Sequence, residues 1–226
     1  MNQSDPIRTV GVVVAGWVAL EVTLRWGFVL AGAAAGIDPG LVDAFVLALG
    51  FPLIAAVLSR YALERGQDRE TWGWGWGWSR RTVGAGALAG IVGLGLVAGA
   101  SQVDAALFGL GDGSGTGDET TVAAAILLLV GNGFVVPIAE EQVWRGVVQT
   151  ELVEARGAVA GIAVTAVLFA FKHVIVDLSV VRLTTLLTLA ALLCVVRYRW
   201  NTVSSTVAHV VVNAALTVTL VATTLG

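Results

Sequence analysis

Long apolar runs separated by short polar breaks account for almost the whole chain, and the runs exceed what the core helices of a soluble domain require. They fall at about residues 9 to 36, 41 to 63, 83 to 110, 122 to 154, 157 to 177, 179 to 198 and 201 to 225. Each comes close to or passes the roughly 20 residues with which an α-helix crosses a hydrocarbon core about 30 Å thick. The breaks carry helix-stopping or polar sequence: IDPG at 37 to 40, ERGQDRETWGWGWGWSRR at 64 to 81, GDGSGTGDETT at 111 to 121 and RYRWN at 197 to 201. The pattern predicts an all-α integral membrane protein, a polytopic bundle of about seven to eight transmembrane helices. An eighth arises if one long run is split. The run from 122 to 154 would be about 50 Å long as one straight helix, so a break or tilt is expected around Gly131, Asn132, Gly133 and Pro137. The first run follows Arg8 and is too long for the apolar region of a signal peptide, which makes it a retained anchor helix.

Composition agrees with the pattern. A mean hydropathy of +0.85, with 57% hydrophobic and 13% charged residues, describes a chain written for lipid. Its 226 residues suit one membrane domain, residues 1 to 226, without a soluble domain beside it. The net charge of −3 is spread thinly, and no basic cluster suits nucleic acid. The expected surroundings are the bilayer, as a multi-pass protein of the cell membrane. Cys194 has no second cysteine to pair with and reads as a buried, inert thiol.

Arginines in the connections set an expected orientation, because positively charged loops remain cytoplasmic. Arg60, Arg65, Arg69, Arg80 and Arg81 mark the second connection, Arg156 the fourth, and Arg197 and Arg199 the sixth; Arg182 in the fifth is the exception. The N-terminus is then cytoplasmic and the C-terminus outside. The four tryptophans of WGWGWGW, Trp72 to Trp78, read as interface anchors at headgroup depth. Gly86 with Gly90, and Gly95 with Gly99, read as small-residue pairs for close helix packing.

Charges inside apolar runs need a partner or a task, since each costs at least about 2.5 to 3.5 kcal/mol at the bilayer centre. PIAEEQVWRG, Pro137 to Gly146, holds three. Glu141 and Arg145 are four apart and can pair on one helical face, whereas Glu140 is rotated about 100° away and points elsewhere. The two histidines of the chain, His173 and His209, also lie in apolar runs, and Asn213 shares a face with His209.

Glu140-Glu141-x-x-x-Arg145, Phe169-x-x-x-His173 and His209-x-x-x-Asn213 resemble, in order and spacing, the three motifs of the CPBP (ABI) family of intramembrane proteases, which includes type II CAAX prenyl endopeptidases. The resemblance makes residues 122 to 213 the motif-bearing catalytic core. Trp144 stands where Phe or Tyr is usual, and Lys172 before the histidine is a departure. The resemblance implies an intramembrane active-site cavity and hydrolysis of a peptide bond in a membrane-anchored protein or peptide, CAAX-type or bacteriocin-like. It implies Glu140 as general base, His173 as the residue that positions water, and His209 with Asn213 as oxyanion donors. Glu141, Arg145 and Phe169 would support them. No cofactor is obligatory on this reading; a divalent metal such as zinc would have Glu140, His173 and His209 as ligands. Counted from the arginine-rich ends, Glu140, His173 and His209 lie about 21, 24 and 14 Å deep, which suggests a cavity opening to the cytoplasm. The rival reading is a non-enzymatic membrane protein, a proton or ion carrier or an immunity or scaffold protein, because buried Glu, His and Arg also build proton relays.

Overall fold

A computed structural model describes residues 5–68, 70–72, 77–109 and 121–225. Those residues form seven helices: α1 (Pro6–Ala34), α2 (Pro39–Glu64), α3 (Arg80–Phe108), α4 (Val122–Arg156), α5 (Ala158–Asp177), α6 (Leu183–Arg199) and α7 (Thr202–Leu225). Six are long and apolar enough to cross a membrane; α6, with 17 residues, is the short one. The protein is a polytopic helical membrane bundle.

Local sequence explains most of the boundaries. Asp5 and Asp38 each cap a helix whose first residue is proline, a position where no amide hydrogen is needed. Ser79 and Thr82 form a reciprocal capping box at the start of α3. Gly157, with φ of +80°, turns α4 into α5. Helix α6 begins at residue 183, later than the sequence suggests, because Leu178 ends α5 in a left-handed conformation, φ of 51°. Its start is fixed by Asp104 of α3, whose carboxylate accepts from the amides of Thr184 and Thr185 at 2.8 Å each.

The expected break in α4 is absent. The helix runs on through all 35 residues, and two π-helical stretches, Gly131–Val135 and Glu141–Val148, replace the break by widening the turn locally. Gly131 packs directly on α2, where an added Cβ would lie 3.1 Å from the amide nitrogen of Ala48. Gly86 and Gly90 bring α3 against α7, with Ser204 O and Val211 Cβ within 2.6 Å of where a Cβ would stand. Gly95 and Gly99 face open space instead, and Gly93 is the residue that closes on α6 and α7. The core gathers around Trp17, Phe51, Trp144 and Phe169 in edge-to-face contact, with centroids 5.4 to 6.1 Å apart along the chain of rings.

The arginine-rich end of the bundle is sealed by its own polar connection. Trp72 is buried, its indole donating to Gln67 Oε1 at 2.7 Å, and the Thr202 hydroxyl donates to the Trp72 carbonyl. Arg197 reaches the Thr71 carbonyl at 3.1 Å and the Thr150 hydroxyl at 2.6 Å. Trp72 is therefore part of the packing, not a headgroup anchor; Trp78 is exposed, and Trp74 and Trp76 lie outside the described residues, as does Arg69.

Candidate active site

Glu140, His173, His209 and Asn213 come from α4, α5 and α7, and all four line one cavity of about 450 Å³. The cavity is walled on α4 by Leu128, Asn132 and Val136, N-terminal to Glu140. On the other side of Glu140, Val143 to Val148 are buried. Arg25, Asp43, Asp177 and Arg182 also line the cavity, at the end where α1 and α5 finish and α2 and α6 begin. The mouth is thus opposite the arginine-rich connections. At the arginine-rich end, Trp72 is buried and its carbonyl accepts from the Thr202 hydroxyl, so the depth count from that end does not locate the opening.

The two adjacent glutamates diverge to different partners. Glu141 Oε1 lies 3.2 Å from Arg145 Nη1 and 3.0 Å from His209 Nδ1. The pairing of Glu141 with Arg145 follows the four-residue spacing, and the pair is fully buried. Arg145 also sits 4.2 Å above the Phe169 ring, a favourable cation–π position. Glu140 turns instead toward α5 and α1. Its Oε1 lies 2.5 Å from Lys172 Nζ, which also donates to Glu21 Oε2 at 3.0 Å. Trp17 Nε1 donates to the same Glu21 oxygen at 2.7 Å.

The histidines are oriented by their Nδ1 atoms. His173 Nδ1 is 2.9 Å from the Phe169 carbonyl, which can only accept, so the proton sits on Nδ1 and Nε2 carries a lone pair. His209 donates from Nδ1 to Glu141 in the same way. Both Nε2 atoms then face Glu140, His173 at 3.8 Å from Oε1 and His209 at 3.8 Å from Oε2. That separation is too long for a direct hydrogen bond, yet one water can contact nitrogen and oxygen together across it. Phe169 packs between the imidazoles, 4.9 Å from His173 and 6.2 Å from His209. Asn213 Nδ2 donates to the Asn132 carbonyl at 3.2 Å, in the first π-helical stretch, and Asn132 is held in turn by Thr217 at 2.8 Å. One N–H of the Asn213 carboxamide remains for the cavity.

Glu21, Trp17 and Asn132 are site features that the motif reading did not include. Glu21 was detectable as an intramembrane charge in the first apolar run, with Trp17 one turn before it. Lys172 was visible only as a departure from the motif. No group of three His, Cys, Asp or Glu side chains is placed to hold a metal among the described residues.

Residues 122–215 match the family described as Rce1-like, Type II CAAX prenyl endopeptidase Rce1-like. Over that segment, which is less than half of the chain, the sequence is similar to the CPBP, or CAAX protease, family of membrane proteases. No curated protein and no solved structure gives a match.

Proposed function

We propose that this protein is an intramembrane endopeptidase that hydrolyses a peptide bond of a membrane-anchored substrate, CAAX-type or other, with Glu140 as general base. The observation that carries the reading is the convergence of two imidazole Nε2 atoms on opposite oxygens of one buried carboxylate, both at 3.8 Å, in a cavity that also holds Asn213.

The steps balance without an added reagent. A water held between Glu140 and His173 gives a proton to the carboxylate as its oxygen attacks the scissile carbonyl carbon. The carbonyl oxygen becomes an oxyanion, met by the free N–H of Asn213 and by Nε2 of His209 when that atom is protonated, its charge balanced by Glu141. Collapse expels the amine, which takes the proton back from Glu140. A divalent ion such as zinc would polarise the carbonyl and the water if bound. Glu140, His173 and His209 would be its ligands, with Oε2 the Glu140 oxygen that Lys172 leaves open, and no step is assigned to it.

With the arginine-rich end in the cytoplasm, as the charge bias of the connections favours, the cavity opens toward the opposite membrane face. A proton carrier is the second reading, and the acid–lysine–acid chain from Glu21 through Lys172 to Glu140 is the feature that suggests it.

Glu140→Gln separates the two. It keeps shape and removes the base, so cleavage of a membrane-anchored peptide library in proteoliposomes should fall at least about 10²-fold. A folded, monodisperse Glu140→Gln protein with near wild-type cleavage would overturn the protease mechanism. Proton flux in the wild type without any peptide cleavage would support the carrier.

A further inference from the structure

Lys172 is fully buried, and its ammonium bridges two carboxylates from different helices, Glu21 Oε2 on α1 at 3.0 Å and Glu140 Oε1 on α4 at 2.5 Å. Three aromatic faces surround it, with Nζ 5.6 Å from the Trp17 ring, 5.7 Å from Phe51 and 5.5 Å from Phe169. An ammonium held by two anions and three rings has one position available to it. The consequence falls on Glu140, whose two oxygens become different. Oε1 is tied to Lys172 and lies on the His173 side, whereas Oε2 has, among the described residues, only the His209 contact at 3.8 Å.

We infer that Lys172 is a positioning residue for the proposed hydrolysis, a resident cation that fixes the Glu140 carboxylate in the orientation from which it takes the proton of water. Glu21, held by Trp17, is the second counter-ion that fixes Lys172. Helix α1, outside the segment that carries the family match, thereby completes the site. The inference rests on Glu140 acting as the base. It differs from a merely structural role, in which Lys172 would serve only to neutralise Glu21.

The comparison that decides this uses Glu21→Gln and Glu21→Gln/Lys172→Met, because the double variant keeps the net charge of the wild-type cluster. Both are assayed in proteoliposomes for kcat and KM on the membrane-anchored peptide library, with thermal unfolding followed in detergent. Glu21→Gln should lower kcat by about 10-fold, since Lys172 keeps its contact with Glu140 but loses the second counter-ion that fixes it. The double variant should keep its Tm and KM and lose at least about 10²-fold in kcat, as expected when a group acts only on the transition state. Turnover of the double variant equal to that of Glu21→Gln would overturn the inference. So would a loss that tracks unfolding, a rise in KM with unchanged kcat, or an equal loss in Glu21→Gln alone. If the double variant is not recovered folded, Lys172→Arg decides. It keeps the charge on a wider planar group, and a kcat within about twofold of wild type would count against positioning. An active Glu140→Gln protein would instead remove the base on which the inference rests.

Discussion

His209 Nδ1 and Arg145 Nη1 approach the same oxygen of Glu141, at 3.0 and 3.2 Å, so one buried carboxylate orients an imidazole of α7 and neutralises a guanidinium of α4. Removing Arg145 alone leaves that carboxylate short of a counter-charge in a dry interior. Arg145→Ala should cost about 3 to 5 kcal/mol, the range for breaking a buried pair from one side. Glu141→Gln with Arg145→Met should cost much less, because the neutral amide can still accept from His209. Thermal unfolding and monodispersity in detergent would compare the two, and equal losses would count against the pairing as the source of stability.

Asn213 has a different expected signature, since the fold uses only one of its two N–H groups, the one bound to the Asn132 carbonyl at 3.2 Å. Asn213→Ala should lower kcat by about 10² to 10³ with little change in KM, because an oxyanion contact is made mainly in the transition state. A fall in substrate affinity without a fall in kcat would assign the carboxamide to binding instead.

Metal dependence follows from Lys172. With its ammonium on Glu140 Oε1, cleavage should persist after treatment with EDTA. Loss of activity that zinc restores would place a metal in the mechanism and displace Lys172 from its assigned role.

The sequence reveals the helices because each apolar run maps onto one, and it reveals the pairing of Glu141 with Arg145 because a four-residue spacing is a property of a single helix. The contacts of Glu140 were hidden for the opposite reason. Lys172 and Glu21 reach it from α5 and α1, and no local period encodes the register between helices. The late start of α6 depends on Asp104, some 80 residues earlier in the chain, which is again invisible locally. Arginine counts describe the connections only and do not locate the opening of the cavity. Where a cavity opens depends on which end the side chains fill, and Trp72 is buried at the arginine-rich end.

Glycine spacing has the same limit, and it offers a paired test. A Cβ at Gly86 or Gly90 would meet α7, whereas at Gly95 or Gly99 it would meet nothing within 4 Å among the described residues, although both pairs are four apart. Gly90→Ala places a methyl where Val211 Cβ is only 2.6 Å away, and should cost about 1 to 3 kcal/mol by overpacking. Gly95→Ala should be neutral or stabilise by about 0.5 to 1 kcal/mol through helix propensity. Thermal unfolding of the two variants side by side would check this, and equal tolerance would mean that α3 does not close on α7 there.

The sidedness of the cavity can be tested directly, because Gly66 and Ser179 are exposed at opposite ends of the bundle. Gly66 lies in the arginine-rich connection after α2. Ser179 lies in the turn after Asp177, which lines the cavity mouth. In a background where Cys194, the one native cysteine, is replaced by alanine, Gly66→Cys should react with an impermeant maleimide only after the cell is opened. Ser179→Cys should react in intact cells, since charged connections stay inside and the mouth is at the other end. The reverse pattern would keep the fold but turn it over in the membrane, so that the cavity opens to the cytoplasm and Arg182, beside the mouth, outweighs the arginines of the other end. Labelling of both positions from one side would contradict the arrangement of helix ends on which the position of the mouth depends.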